Sequence, residues 1–164
     1  MLDSPANRQK VLAVFPKLQY DLNWSISSPA DPVYNCIAYA CTRNDVFYWP
    51  TTQTVDGIVW HFNLPKDTTV TTFIHVFTHL SPPYRICNNA SYEEGFQKIA
   101  IYVNANTNVC THAARMKDSG LWTSKLGQWF DILHSTPQSI EGPSYGIVSV
   151  IMKREHSQFQ RSKL

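Results

Sequence analysis

The sequence holds no apolar run approaching the roughly 18 residues that a membrane-crossing helix requires. Its start, Met1-Leu2-Asp3-Ser4-Pro5, lacks the basic and apolar regions of a signal peptide. These absences argue against a membrane protein and predict a cytoplasmic one. Charge is sparse too: 16% of residues are charged and the formal net charge is only +2. With no long basic run interleaved with aromatics, nucleic acid is not an expected partner. The four cysteines, Cys36, Cys41, Cys87 and Cys110, show no CxxC spacing, which disfavours a zinc knuckle, and no cofactor is implied. In a reducing compartment their even number says little about disulfides. Cys87 and Cys110 read most simply as buried apolar residues.

What is present suits one folded domain. The chain has 164 residues, 43% of them hydrophobic, with enough Trp, Tyr and Phe to fill a core or line a groove. The core is expected over about residues 30–153, with 154–164 a polar tail. Pro5 and the apolar positions Val11, Leu12, Val14 and Phe15 predict a short helix over 6–15, ended by Pro16. Residues 17–33 read as a polar loop. The run Cys36-Ile37-Ala38-Tyr39-Ala40-Cys41 reads as a buried helix starting near Asn35, which is placed to cap it. Cys41 is expected inside that helix. Residues 44–67 are aromatic and irregular, a surface connection with one short strand. Phe73, Val76, Phe77 and Leu80 predict a helix over 68–80, stopped by Pro82-Pro83. From Gly95 the pattern becomes that of strands, over 97–103, 111–117, 121–125 and 145–153. Helices first and an antiparallel sheet afterwards define an α+β class.

The chemistry centres on one cysteine and one histidine. Cys36 stands where the buried helix starts, so free backbone amides can stabilise a thiolate and, later, an oxyanion. His112 lies in the strand Cys110-Thr111-His112-Ala113-Ala114-Arg115-Met116. Strict alternation puts Cys110, His112, Ala114 and Met116 on one face. Asp118-Ser119-Gly120 predicts a three-residue hairpin loop with Gly120 in the left-handed position. That register opposes Lys117 to Leu121, Met116 to Trp122, Arg115 to Thr123 and Ala114 to Ser124. Ser124 then shares the face of His112, diagonally across, where its hydroxyl can orient the imidazole. Lys125 falls on the other face. Asn35 is a candidate for capping or for the oxyanion hole.

The segment Tyr34-Asn35-Cys36-Ile37-Ala38-Tyr39-Ala40 resembles the nucleophile helix of NlpC-like and other papain-fold cysteine peptidases and amidases. Thr111-His112-Ala113-Ala114, followed by Gly120-Leu121-Trp122-Thr123-Ser124-Lys125-Leu126-Gly127, is similar to that superfamily's histidine strand and the strand after it. The resemblance implies a papain-like fold and a Cys36–His112 dyad acting on an amide or peptide bond of a peptide or protein substrate. Papain-fold enzymes usually orient the histidine with Asn, Asp, His or Glu, and this chain offers Ser124 instead. The ordered pieces Tyr34 to Ala40, Gly95 to Tyr102, Thr111 to Arg115 and Trp122 to Gly127 also resemble an uncharacterised, mostly bacterial domain family.

Two other readings compete. The serine at the orienting position suits a catalytically silent papain-like domain used for binding or regulation. His75 and His79, spaced i and i+4 on a predicted helix, form with His61 a candidate metal site for hydrolysis. Val76 stands where a helical zinc peptidase carries Glu, and a solvated polar face explains these histidines more simply. His134 joins the Cys–His site only if its segment folds back over the sheet.

Overall fold

A computed structural model describes residues 1–60 and 63–156. Helix α1 spans Pro5–Val14, capped by the Ser4 hydroxyl, which accepts from the Asn7 amide at 3.1 Å. Pro16 ends it and opens a 3-10 turn, Pro16–Tyr20. The expected loop that follows contains an edge strand, β1 (Ser25–Ser28). Next come α2 (Cys36–Ala40), the paired β2 (Phe47–Tyr48) and β3 (Ile58–Val59), and α3 (Val70–Thr78). Strands β4 (Arg85–Cys87), β5 (Phe96–Val103), β6 (Cys110–Met116), β7 (Trp122–Lys125), β8 (Asp131–His134) and β9 (Ile147–Glu155) complete the order.

The fold is mixed α+β. Seven strands form one sheet in the order β1-β8-β7-β6-β5-β9-β4, its pairs antiparallel. Both faces of this sheet are covered, which is why β5 reads as nearly continuous apolar sequence and buries seven of its eight residues. One face carries Ile99, Ile101, Ala113 and Met152 against α2 and the α3 residues Phe73, Val76 and Phe77. The other carries Ala100, Tyr102, Ala114, Met116, Trp122 and Ile132 against Val11, Phe15 and Leu18.

The hairpin between β6 and β7 follows the expected register. Arg115 opposes Thr123, Met116 opposes Trp122, and the Lys117 amide donates to the Leu121 carbonyl at 2.8 Å. Gly120 supplies the left-handed turn with φ +88°. The expected Ala114–Ser124 pair is not part of the ladder, which ends at Arg115–Thr123 among the described residues.

Three further expectations are corrected. Cys110 does not share the His112 face. Tyr102 pairs with His112 and Val103 with Cys110, so Thr111 is an extra residue, and this bulge turns Cys110 toward α2 and α3. Cys41 caps α2 instead of lying within it, because the helix is only five residues long. The polar tail begins later than expected: β9 continues through Glu155, and Arg154 is buried where its Nε donates to Gln97 Oε1 at 2.9 Å. Residues 157–164 of that tail lie outside the described residues, and Cys87 is half-buried on an edge strand.

Candidate functional site

Asn35 determines where α2 starts. Its Oδ1 accepts from the Ala38 amide at 3.2 Å and the Tyr48 amide at 3.1 Å, while its Nδ2 donates to the Tyr48 carbonyl at 2.8 Å. These bonds commit the side chain to capping α2 and tying it to β2. Cys36 is then the first helical residue.

Polar side chains seat α2 on the sheet. Arg115 Nε donates to the Tyr39 carbonyl at 3.0 Å, and its guanidinium lies 4.6 Å above the Tyr39 ring. The Tyr39 hydroxyl is 3.1 Å from Thr123 Oγ1. Just ahead of the helix, the Tyr34 hydroxyl donates to Asp131 Oδ2 at 2.7 Å, and Asp131 also pairs with the fully buried Lys125 at 3.7 Å. These contacts join α2 to β6, β7 and β8, and so place the thiol.

The sulfur of Cys36 is buried, the residue being 8% exposed. Burial pushes its pKa up to about 11, opposed by the backbone amides of Ala113, Ile37 and Cys36 itself. Ala113 directly follows His112 on β6, and its side chain shares the α2 face of the sheet while that of His112 takes the other. For Cys41 no amide opposes the rise: burial pushes it up to about 12, and only the charges of Arg154 and Arg43 act against this.

His112 projects from the opposite face of the sheet to that on which α2 packs, with no solvent exposure. Its Nε2 is 3.0 Å from Ser124 Oγ. Ser124 Oγ is in turn 2.8 Å from His134 Nε2, and His134 Nδ1 is 2.8 Å from the Thr136 carbonyl. The other ring nitrogen, His112 Nδ1, is buried and has no hydrogen-bond partner among the described residues. The Cys36 thiol is therefore not bonded to it in this state. Burial holds His112 well below the ordinary histidine range, and His134 beside it acts in the same direction.

A tyrosine covers the imidazole. Tyr145 stacks on His112 with ring centroids 4.0 Å apart and planes 8° from parallel. Burial raises the Tyr145 pKa, and the neighbouring Cys36 thiol adds to the rise. Nothing in the sequence marked Tyr145, which precedes a glycine in an ordinary-looking turn. His134 reaches the site because β8 pairs with β7, placing His134 opposite Trp122.

The histidines weighed as metal ligands are arranged otherwise. His75 and His79 are exposed at the end of α3, where His79 Nδ1 lies 2.7 Å from the His75 carbonyl. His61 lies outside the described residues. Among those described, no group of three or more His, Cys, Asp or Glu side chains is placed to hold a metal. No described helix is long and apolar enough to cross a membrane.

No curated protein and no solved structure matches this chain. One family profile does, over residues 25–153, a span that takes in β1, α2 and the strands carrying His112, Ser124 and His134. The chain belongs to the family described as "Domain of unknown function (DUF7689)".

Proposed function

We propose that this domain is a papain-like, thiol-dependent hydrolase or acyl transferase acting on an amide or peptide bond. Cys36 is its nucleophile, His112 its base and Ser124 the residue that orients the base. The carrying observation is the His112 ring. One nitrogen is held by Ser124, and the other is buried without a partner among the described residues, one position along β6 from Ala113, whose amide opposes the rise in the Cys36 pKa. A buried acceptor left unpaired costs about 1–3 kcal/mol, and groups of this kind call for an explanation such as catalysis. Receiving the Cys36 proton supplies one.

Both groups are neutral at rest, because burial raises the thiol and lowers the imidazole. His112 therefore acts as a general base during attack and not as half of a standing ion pair. Once the Cys36 sulfur, on the α2 face of β6, is brought against the His112 ring on the other, its Sγ–H gives its proton to His112 Nδ1 while sulfur bonds to the carbonyl carbon and the carbonyl oxygen becomes the oxyanion. The C–N bond then breaks and His112 returns the proton to the leaving amine. Water or a second amine releases the acyl group from sulfur. The Cys36 amide helps to hold the oxyanion.

The burial of the sulfur favours a second reading, in which the domain is catalytically silent and serves in binding. Alkylation by iodoacetamide, followed residue by residue with mass spectrometry at pH 7, separates the two. A working dyad makes Cys36 react faster than the equally buried Cys41 and Cys110. His112→Ala then slows Cys36 by on the order of 10²-fold, the scale of general-base assistance. If all three buried cysteines react equally slowly in both proteins, the silent domain is correct.

A further inference from the structure

Three distances along β6, β7 and β8 determine where protons sit. The Thr136 carbonyl can only accept, so His134 Nδ1 carries a hydrogen and donates it at 2.8 Å. His134 is fully buried and neutral near pH 7, since burial lowers its pKa to about 4. Its Nε2 is consequently a bare acceptor, and the Ser124 hydroxyl at 2.8 Å must donate to it. A hydroxyl has one proton. Ser124 Oγ can then only accept from His112, whose Nε2 at 3.0 Å must carry the hydrogen. His112 is neutral as well, so its Nδ1 is left as a lone pair.

We propose that His134 is a positioning residue: through the Ser124 hydroxyl it holds the His112 proton on Nε2 and keeps Nδ1 bare to receive the Cys36 proton. The role rests on the reading of His112 as the base. Serine alone could not do this, because a hydroxyl donates or accepts equally well and would tolerate either His112 tautomer. The direction comes from His134, and the direction of His134 comes from a backbone carbonyl that cannot turn over. The loop bearing that carbonyl is itself held: Ser135 donates from its amide and its hydroxyl to the two oxygens of Asp21, each at 2.7 Å.

The test reads ring protonation directly, by long-range ¹H–¹⁵N correlation on the full chain labelled with ¹⁵N-histidine, at pH 7. His112 is expected with hydrogen on Nε2 and His134 with hydrogen on Nδ1. His134→Phe removes the acceptor, so His112 becomes a mixture of tautomers and alkylation of Cys36 slows about tenfold, a modest share of general-base assistance. His134→Gln restores both readouts, because its carbonyl can accept from Ser124 while its amide donates to Thr136. Should His134→Phe not fold, Ser124→Ala breaks the same link with His134 in place and is expected to mix the His112 tautomers likewise. Hydrogen on His112 Nδ1 in the native chain, or an unchanged His112 pattern in both variants, overturns the proposal. If the native tautomers are as expected but Cys36 is inert to iodoacetamide with or without His112, the thiol chemistry fails while the proton order stands.

Discussion

Asn35 shows how much one side chain can determine. It joins the first turn of α2 to the backbone of Tyr48 through three hydrogen bonds, all buried. Truncation to alanine removes a helix cap and both of its bonds to the Tyr48 backbone, so Asn35→Ala should destabilise the fold by about 2–4 kcal/mol. Urea unfolding measures this, and a loss below about 0.5 kcal/mol, less than a typical cap contributes, would show that the bonds are dispensable. The comparison of Cys36 with Cys41 belongs at the same scale. Both thiols are buried on one short helix, yet only for Cys36 do amides of the helix start and of β6 oppose the rise in pKa. Position within the turn, and not burial, distinguishes them.

At the scale of elements, the site is closed by the turn between Gly142 and Gly146. The two glycines exchange backbone hydrogen bonds at 3.0 and 2.8 Å, and Thr111 Oγ1 donates to the Tyr145 carbonyl at 2.5 Å. Gly146 has φ +72°, and a Cβ there would lie 2.0 Å from the Val103 carbonyl oxygen, so only glycine fits and the turn is tightly placed. Tyr145 is thereby held over His112. Tyr145→Ala should raise the alkylation rate of Cys36 about tenfold while costing about 2 kcal/mol of stability, less than a fully buried ring because this one is partly exposed. An unchanged rate in folded variant protein would mean that this ring does not control access. Such turns also mark the limit of what sequence reveals. The β6–β7 register, and with it the Ser124–His112 contact, was legible because Asp118-Ser119-Gly120 dictates one hairpin geometry. The extra residue at Thr111 has no sequence signature, so strict alternation misplaced Cys110. Strands β1 and β4 are short edges of four and three residues whose partners lie far along the chain, and periodicity has little to register there. His134 was recognisable as a candidate, but the five residues from Leu126 to Phe130 do not specify how β8 aligns with β7.

Across the whole molecule, covering both faces of one sheet is what allows two histidines to be sealed from water. His112 and His134 lie on the face packed by α1 and the following 3-10 turn, and neither has any exposure. Each is held neutral below the ordinary histidine value of 6.5, His134 at about 4. In the unfolded chain both take up protons near pH 6.5. Between that pH and about 4 the unfolded state therefore binds more protons than the folded one, and stability must fall as pH falls. His134 alone contributes a loss of about 3 kcal/mol over this window, at 1.36 kcal/mol per pKa unit. Asp3, Asp21 and Glu93, with carboxyls held below their usual range, lose their stabilising contributions only at lower pH, while Asp131, whose pKa burial raises, opposes part of the histidine effect. Urea unfolding at pH 7, 5.5 and 4.5 should show a progressive decline in the native chain. His134→Gln, which cannot titrate, should remove the His134 share and flatten the curve while leaving the part due to His112. Stability that stays level from pH 7 to 4.5 in the native chain would mean that these imidazoles accept protons without unfolding, and the buried, neutral relay would be wrong.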